Sequence, residues 1–388
     1  MTEPVPASLK ALIEQASAAR YLRAESPEPR SLSEPTPYPF LALVGQREMK
    51  LALLLTLINP GLSGVLLVGP RGTGKTTAVR SLSDLLPIVA RSACPYGCLP
   101  EDVETGGMEA VCPDCAKKYG EGESLTYPDP VRLVELPLHS RLEDVVGGLE
   151  ARAAQLNRMA LQRGILSHAD QNLLYIDEVN LLPNEIVDAI LDASAQGVYT
   201  VRRGPLAATY RSRFVLIGSL NPEEGRLRPQ ILDRFGLRLI VHGLSDPADR
   251  LEAYHRVRAY TASPQATIAA YADQTLAARA EIQAARQRLP GVRLTSAAEQ
   301  AGLDLVRRLE IDSLRAELTL FEAARAVAAA DDRDTATPAD VREAAPMALR
   351  LRRSPFMQEY FNAQQQEEHQ IGALLDEVIP PTPGAEAA

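Results

Sequence analysis

Gly69-Pro70-Arg71-Gly72-Thr73-Gly74-Lys75-Thr76 fits the pattern G-x4-G-K-[ST] without a mismatch. The apolar run Gly64-Val65-Leu66-Leu67-Val68 leads into it and predicts a short buried strand. Thr76-Thr77-Ala78-Val79-Arg80-Ser81-Leu82 leads out of it and predicts a helix. A Gly-rich turn could meet the pattern by chance; strand, loop and helix in this order are the context that separates a phosphate cradle from such a turn. Glycines let the backbone curl so that its N–H groups and the helix N-terminus face negative charge. Lys75 is then expected at the β- and γ-phosphates of a nucleotide, and the Thr76 hydroxyl on its Mg²⁺. The nucleotide-binding run is Gly69, Pro70, Arg71, Gly72, Thr73, Gly74, Lys75, Thr76 and Thr77.

Working outward, 388 residues suggest roughly two or three domains. A hydrophobic fraction of 46% is ordinary for a globular protein. Asp and Glu (50) outnumber Lys and Arg (41), a net charge of −9, which argues against a dominant electrostatic grip on nucleic acid. Aromatics are 5% and Trp is absent, which argues against base-stacking platforms. The N-terminus shows no secretion signal. The most apolar region, Leu51 to Val68, is broken by Asn59-Pro60-Gly61 and is too interrupted for a membrane span. A cytoplasmic location is expected.

The chain divides into a flexible arm (1–37), an α/β domain (38–245) with a Cys-rich loop (94–115), a helical lid domain (246–375) and a disordered tail (376–388). Within the α/β domain the sequence predicts a helix over Arg47–Leu57 and strands at 64–68, 131–136, 173–178, 213–219 and 238–242, a sheet of about five parallel strands. Between them come the motif Glu143-Asp144-Val145-Val146-Gly147-Gly148, a polar helix-like stretch from Ala151 to Arg163, a helix from Pro183 to Ala195, and a hairpin with arms 198–201 and 208–210 across Arg203-Gly204-Pro205. The lid is expected to hold helices over 247–260, 266–289, 297–309, 314–330 and 341–353. Ser296 with Glu299 predicts a capping box for the third, and Thr337-Pro338-Ala339-Asp340 has N-cap, N1 proline and first-turn acid in order for the last.

Leu173-Leu174-Tyr175-Ile176-Asp177-Glu178 is an apolar strand ending in two acids at the sheet edge where ligands of such sheets bind. Asp177 is expected to hold Mg²⁺ through water and Glu178 to polarise the attacking water. Alone, the pair reads as well as a strand capped by solvated acids; downstream of a full phosphate loop it supplies the second anchor that the metal needs. Asn221, at the end of the next strand, is a candidate to orient that water, though Asn221-Pro222 by itself is a turn signal.

All four cysteines lie in Cys94-x3-Cys98-x13-Cys112-x2-Cys115, both pairs in turn sequence. Two closely spaced pairs can close a tetrahedral four-thiolate zinc site. A redox switch, with Cys112 and Cys115 as the disulfide, and incidental thiols are the alternatives. No His or carboxylate ligand with an open position points to a catalytic metal.

Several long runs in order resemble the AAA+ ATPase subunit I of magnesium chelatase. They are Tyr175-Ile176-Asp177-Glu178-Val179-Asn180-Leu181-Leu182, the stretch from Phe214 to Asn221-Pro222-Glu223-Glu224-Gly225, and Leu227-Arg228-Pro229-Gln230-Ile231-Leu232-Asp233-Arg234-Phe235-Gly236. Gly45-Gln46, Leu136-Pro137-Leu138, Glu143 to Gly147 and Arg315-Ala316-Glu317-Leu318-Thr319 add to it, and the likeness covers about residues 38 to 355. The resemblance implies a ring, expected to be a hexamer, with ATP between neighbours. It implies Arg234 as the arginine finger reaching an adjacent subunit's γ-phosphate, and Arg315 as the arginine that the helical domain lays on the nucleotide. It also implies Mg²⁺ insertion into protoporphyrin IX in (bacterio)chlorophyll biosynthesis, with a D subunit and a porphyrin-binding H subunit. The segments 143–172 and 198–213 would then be the family's helix-two insertion and hairpin. The four-Cys segment and His139-Ser140-Arg141-Leu142, where a Gly/Ala-rich piece is usual, depart from the pattern. They leave a sibling role open, a cobalt-chelatase-like or MoxR-like ATPase.

Overall fold

A computed structural model describes residues 37–149, 161–225, 227–352 and 370. The expected N-terminal arm, all but its last residue, and the expected tail lie outside the described residues. Helix α1 (Arg47–Ile58) leads through Asn59-Pro60 to β1 (Val65–Val68) and, across the loop, to α2 (Lys75–Ser81). An insertion follows: β2 (Ile88–Ser92) and β3 (Thr126–Pro130) pair antiparallel and enclose α3 (Pro100–Gly106) and α4 (Pro113–Gly120). The chain returns through β4 (Leu133–Leu136), α5 (Leu142–Val146), the ribbon β5 (Gly147–Leu149) with β6 (Leu161–Arg163), and α6 (Ile165–His168) to β7 (Leu173–Ile176). Then come α7 (Asn184–Gln196), the hairpin β8 (Val198–Arg203) with β9 (Leu206–Arg211), β10 (Val215–Leu220), α8 (Pro229–Arg234) and β11 (Leu237–Ile240).

The five expected strands form one sheet in the order β11-β1-β10-β7-β4, every pairing parallel. Their short Val/Leu/Ile runs suit strands covered on both faces. Side chains alternate between two cores: Val65 and Leu67 with Leu173 and Tyr175 on one side, Leu66 and Val68 with Leu174 and Ile176 on the other. The first core continues through α1 into the helical part of the chain: α9 (Pro247–Ala262), α10 (Pro264–Arg288), β12 (Arg293–Leu294), α11 (Ser296–Arg308), α12 (Leu314–Ala330), β13 (Thr335–Ala336) and α13 (Pro338–Leu349). Helix α12 buries Ala323, Ala324, Ala326, Ala328, Ala329 and Ala330, small side chains that let α13 pack close. Sheet order sets the site: β10 lies between β1 and β7, so the C-terminal ends carrying Gly69, Asn221 and Asp177 are neighbours.

Local expectations needed correction in places. The helix over 151–163 does not extend to its end: Leu161–Arg163 is a strand on Gly147–Leu149, a pairing that overrides local helical composition; residues 151–160 lie outside the described residues. Strand β3 is missed because Thr-Tyr-Pro-Asp-Pro carries two prolines, tolerated in a two-stranded ribbon where one edge needs no ladder bonds. The cap of α11 is Thr295, whose side chain accepts from the Ala298 amide, not Ser296. The Thr337–Asp340 box forms as expected, with the Thr337 amide donating to Asp340 at 2.7 Å. Helix α13 stops at Leu349, short of Arg353. Among the described residues no helix is long and apolar enough to cross a membrane.

Candidate functional site

At the C-terminal rim the loop after β1 turns through Gly72 (φ 77°) and Gly74 (φ 85°), left-handed conformations that favour glycine. A Cβ built at either would meet no atom within 4 Å, so the loop leaves open space at both positions. Lys75, the first residue of α2, is buried. Its Nζ donates to the carbonyls of Gly69 (2.6 Å) and Pro70 (2.8 Å). Desolvation lowers its pKa, and the carboxylates of Asp177, Glu178 and Glu224 oppose that shift.

Asp177 receives three hydroxyls from its own chain: Thr76 at 3.2 Å, Tyr175 at 2.8 Å and Ser219 at 2.5 Å. Ser219 also accepts the Glu178 amide at 2.9 Å. The carboxylate is therefore aimed from the phosphate-loop helix, from its own strand and from β10. Burial raises the Tyr175 pKa, which keeps the phenol a donor. Glu178 sits at φ 54°, a left-handed conformation costly for a residue with a Cβ and a recurring feature of functional sites. Its carboxylate lies 3.5 Å from Arg71, which also contacts Glu224. Arg71 is 71% exposed, so these pairs are weak. Asn221 is buried and accepts the Glu223 amide at 3.3 Å; the residue before it takes the Gly69 amide on its carbonyl at 3.0 Å. A hydroxyl and a carboxylate converging beside amide donors are a hard-oxygen set that fits Mg²⁺ with a triphosphate. Tyr175 and Ser219 were missed as site residues by the sequence reading; their place beside the Asp177 strand end was the available signal.

Arg234 and Arg315 are not brought to this rim. Both line a cavity of about 280 Å³ with Ser63 and Gly236, at the end of the sheet where β1 and β11 begin. The length of β1 puts that end about 10 Å from the phosphate loop. Arg234 donates to the Leu191 carbonyl at 3.2 Å and pairs with Asp192 at 3.2 Å. Arg315 pairs with Asp233 at 3.0 Å. Asp233 also takes the guanidiniums of Arg238 (3.5 Å) and Arg352 (3.2 Å), both buried. Burial lowers Arg238 to about 10, with Arg352 adding to the shift and Asp233 opposing it.

The four cysteine thiols converge, all Sγ atoms within 4.8 Å of one another, and none is in a disulfide. Cys94 and Cys112 are 4.0 Å apart, close to the edge of a tetrahedron with 2.3 Å metal–sulfur arms, about 3.8 Å. Cys94 and Cys98 lie in a turn as expected; Cys112 instead caps α4 and Cys115 falls in its first turn. Burial would raise the Cys94 thiol, but hydrogen bonds from the Cys98 and Tyr96 backbone and from neighbouring thiols bring it down to about 7. Burial pushes Cys98 up to about 11 and raises Cys115 as well.

A family model described as an AAA domain matches residues 63–222, and one described as an AAA lid domain matches 303–371. The chain is 40% identical to the magnesium-chelatase subunit ChlI homolog of Methanocaldococcus jannaschii over 335 residues, 85% of this chain and 90% of the relative. It is 43% identical to the magnesium-chelatase 38 kDa subunit of Rhodobacter capsulatus over 322 residues, 82% of this chain and 89% of the relative. A crystal structure of a Cytophaga hutchinsonii protein has a similar fold, with a TM-score of 0.50 at 19% identity, covering 80% of this chain and 83% of that one.

Proposed function

The chain belongs to the magnesium-chelatase subunit I family of AAA+ ATPases, and on that premise we propose that its ATP hydrolysis drives insertion of Mg²⁺ into protoporphyrin IX held by a partner subunit. ATP with Mg²⁺ is the substrate. The loop amides and Lys75 bind its phosphates, and Thr76 and Asp177 hold the metal, which neutralises charge on the transferring phosphoryl group. Glu178 takes the proton of the attacking water and Asn221 orients that water. Tyr175 and Ser219 keep Asp177 aimed. Arg234 acts from the next subunit of the ring, a hexamer in this proposal, and Arg315 joins it there, since both share one cavity away from their own phosphate loop. The observation that carries the reading is the meeting of Thr76 and Asp177 at 3.2 Å beside an open, left-handed loop.

In this proposal residues 38–245 form the nucleotide-binding domain and 246–375 the lid. The ring works with a D subunit and a porphyrin-binding H subunit in the cytoplasm, a reducing setting that suits four unpaired thiols. One Zn²⁺ is bound structurally by Cys94, Cys98, Cys112 and Cys115. A cobalt-chelatase-like or MoxR-like ATPase would share the ATP residues; identity to chains named for magnesium chelatase over most of their length favours the first reading. The test is reconstitution: this protein with D and H subunits, ATP, Mg²⁺ and protoporphyrin IX should give the metalloporphyrin spectrum, and Glu178→Gln should not. ATP turnover without metalloporphyrin, using partners active with their own subunit I, would refute the chelatase assignment.

A further inference from the structure

The cysteine-bearing insertion has a very small core. Its cluster of buried apolar residues is Cys98, Val103, Val111, Cys115 and Leu125, too few to hold some thirty residues in one conformation without a staple. Amides point at two of the sulfurs: Tyr96 N–H to Cys94 Sγ at 3.3 Å and Cys112 N–H to Cys98 Sγ at 3.4 Å. Such donors neutralise and orient thiolates around a metal.

The turn 94–98 is also wedged against another part of the chain. The Arg211 amide, on the outer edge of the β8–β9 hairpin, donates to the Tyr96 carbonyl at 3.1 Å. The Arg213 guanidinium donates to the Gly97 carbonyl at 3.0 Å, and Arg211 pairs with Asp102 at 2.8 Å. The Tyr96 ring stacks on Tyr210, centroids 5.6 Å apart and planes at 18°. Gly97 has φ 79°, and a Cβ there would lie 2.7 Å from the Arg211 Cβ, so the approach itself requires glycine. Residues 211–213 are the root of β10, the strand that presents Ser219 and Asn221. At the other end of the hairpin, Arg203 donates to the Gly147 carbonyl at 3.2 Å.

We infer that the thiolate-bound zinc is a clamp: by fixing the 94–98 turn it fixes the β8–β9 hairpin to the root of β10. The inference rests on the zinc assignment above and adds to it what the metal holds in place. Without metal the four thiols no longer share a centre, the turn loses its shape, and the hairpin keeps only its own ladder and its contacts with α7 and the β5–β6 ribbon. The restraint is mechanical, so nucleotide binding at the opposite rim survives its loss.

The test uses the full chain in two steps. Elemental analysis should find about one zinc per chain, as four thiolates at one centre require. Hydrogen–deuterium exchange is then compared between loaded protein and protein stripped by a mercurial and chelator. Stripping should speed exchange in 93–125 and also, by about tenfold, in the peptide 206–213, whose Arg211 amide is bonded to the turn. Tyr96→Ala keeps every thiol and should retain zinc while speeding exchange in 206–213. Absence of zinc refutes the metal site itself. Bound zinc whose removal leaves 206–213 at its loaded rate refutes the clamp and spares the metal site, and a zinc-retaining Tyr96→Ala with an unaltered hairpin counts against the clamp as well.

Discussion

At the C-terminal rim of the sheet Asp177 takes hydrogen bonds from three hydroxyls of its own chain, whereas at the N-terminal rim Arg234 and Arg315 rest on acids of their own chain, with no phosphate loop beside them. The first rim brings together from one chain Lys75, Thr76, Asp177, Glu178 and Asn221, the residues that the proposed function assigns to phosphate, metal and water. The second presents two guanidiniums, 31% and 51% exposed, on the wall of a cavity. Their own acids hold them in place at modest cost, since half-exposed ion pairs are worth at most about 1 kcal/mol and are readily exchanged for a phosphate. In the proposed function the difference teaches that one chain carries two halves of two sites, and that hydrolysis requires a second copy.

Substitutions at the two rims should therefore fail in different ways. Arg234→Ala should lower ATP turnover about 10³–10⁵-fold, as loss of a finger arginine does, with nucleotide affinity nearly unchanged; a comparable loss of affinity in an isolated monomer would place Arg234 at its own site and break the comparison. Glu178→Gln should lower turnover about 10²–10⁴-fold, again with binding intact, as read by fluorescent-nucleotide titration. Asp233→Asn should act on stability, because it leaves Arg238 and Arg352 buried without their carboxylate. The cost is about 3 kcal/mol, or about 150-fold in the folding equilibrium, measured by denaturant unfolding. Ser219→Ala should be the mildest, about tenfold in turnover with unfolding midpoint unmoved, since it removes one of three hydroxyls aiming Asp177.

The sequence made the first rim legible because its parts are motifs with fixed spacing. The phosphate loop needs its glycines where φ is positive, and the Asp177-Glu178 strand needs an apolar run followed by acids. All five strands were readable for the same reason, being short apolar runs buried on both faces. The second rim was readable only by resemblance. Nothing local to Arg234 or Arg315 separates a finger from a surface charge, and their shared cavity is walled by α7, the end of α8 and α12, elements far apart in the chain. Tyr175 and Ser219 were hidden likewise, since their roles depend on strand register, Ile217 beside Tyr175 and Gly218 beside Ile176. The β6 ribbon was lost to helical local composition. The four cysteines were visible as a cluster, but their link to the hairpin runs through backbone carbonyls at Tyr96 and Gly97, which no spacing rule reports.

The most direct test of the two-rim account mixes two inactive proteins. Glu178→Gln lacks the base at every site and Arg234→Ala lacks the arginine at every site, but a mixed ring pairs an intact Glu178 with an intact Arg234 at about a quarter of its interfaces, assuming random assembly. Differently tagged variants, co-purified through both tags, should recover ATP turnover to about that fraction of the parent. Verified mixed rings that remain as inactive as either variant alone would contradict the claim that each site is built from two chains.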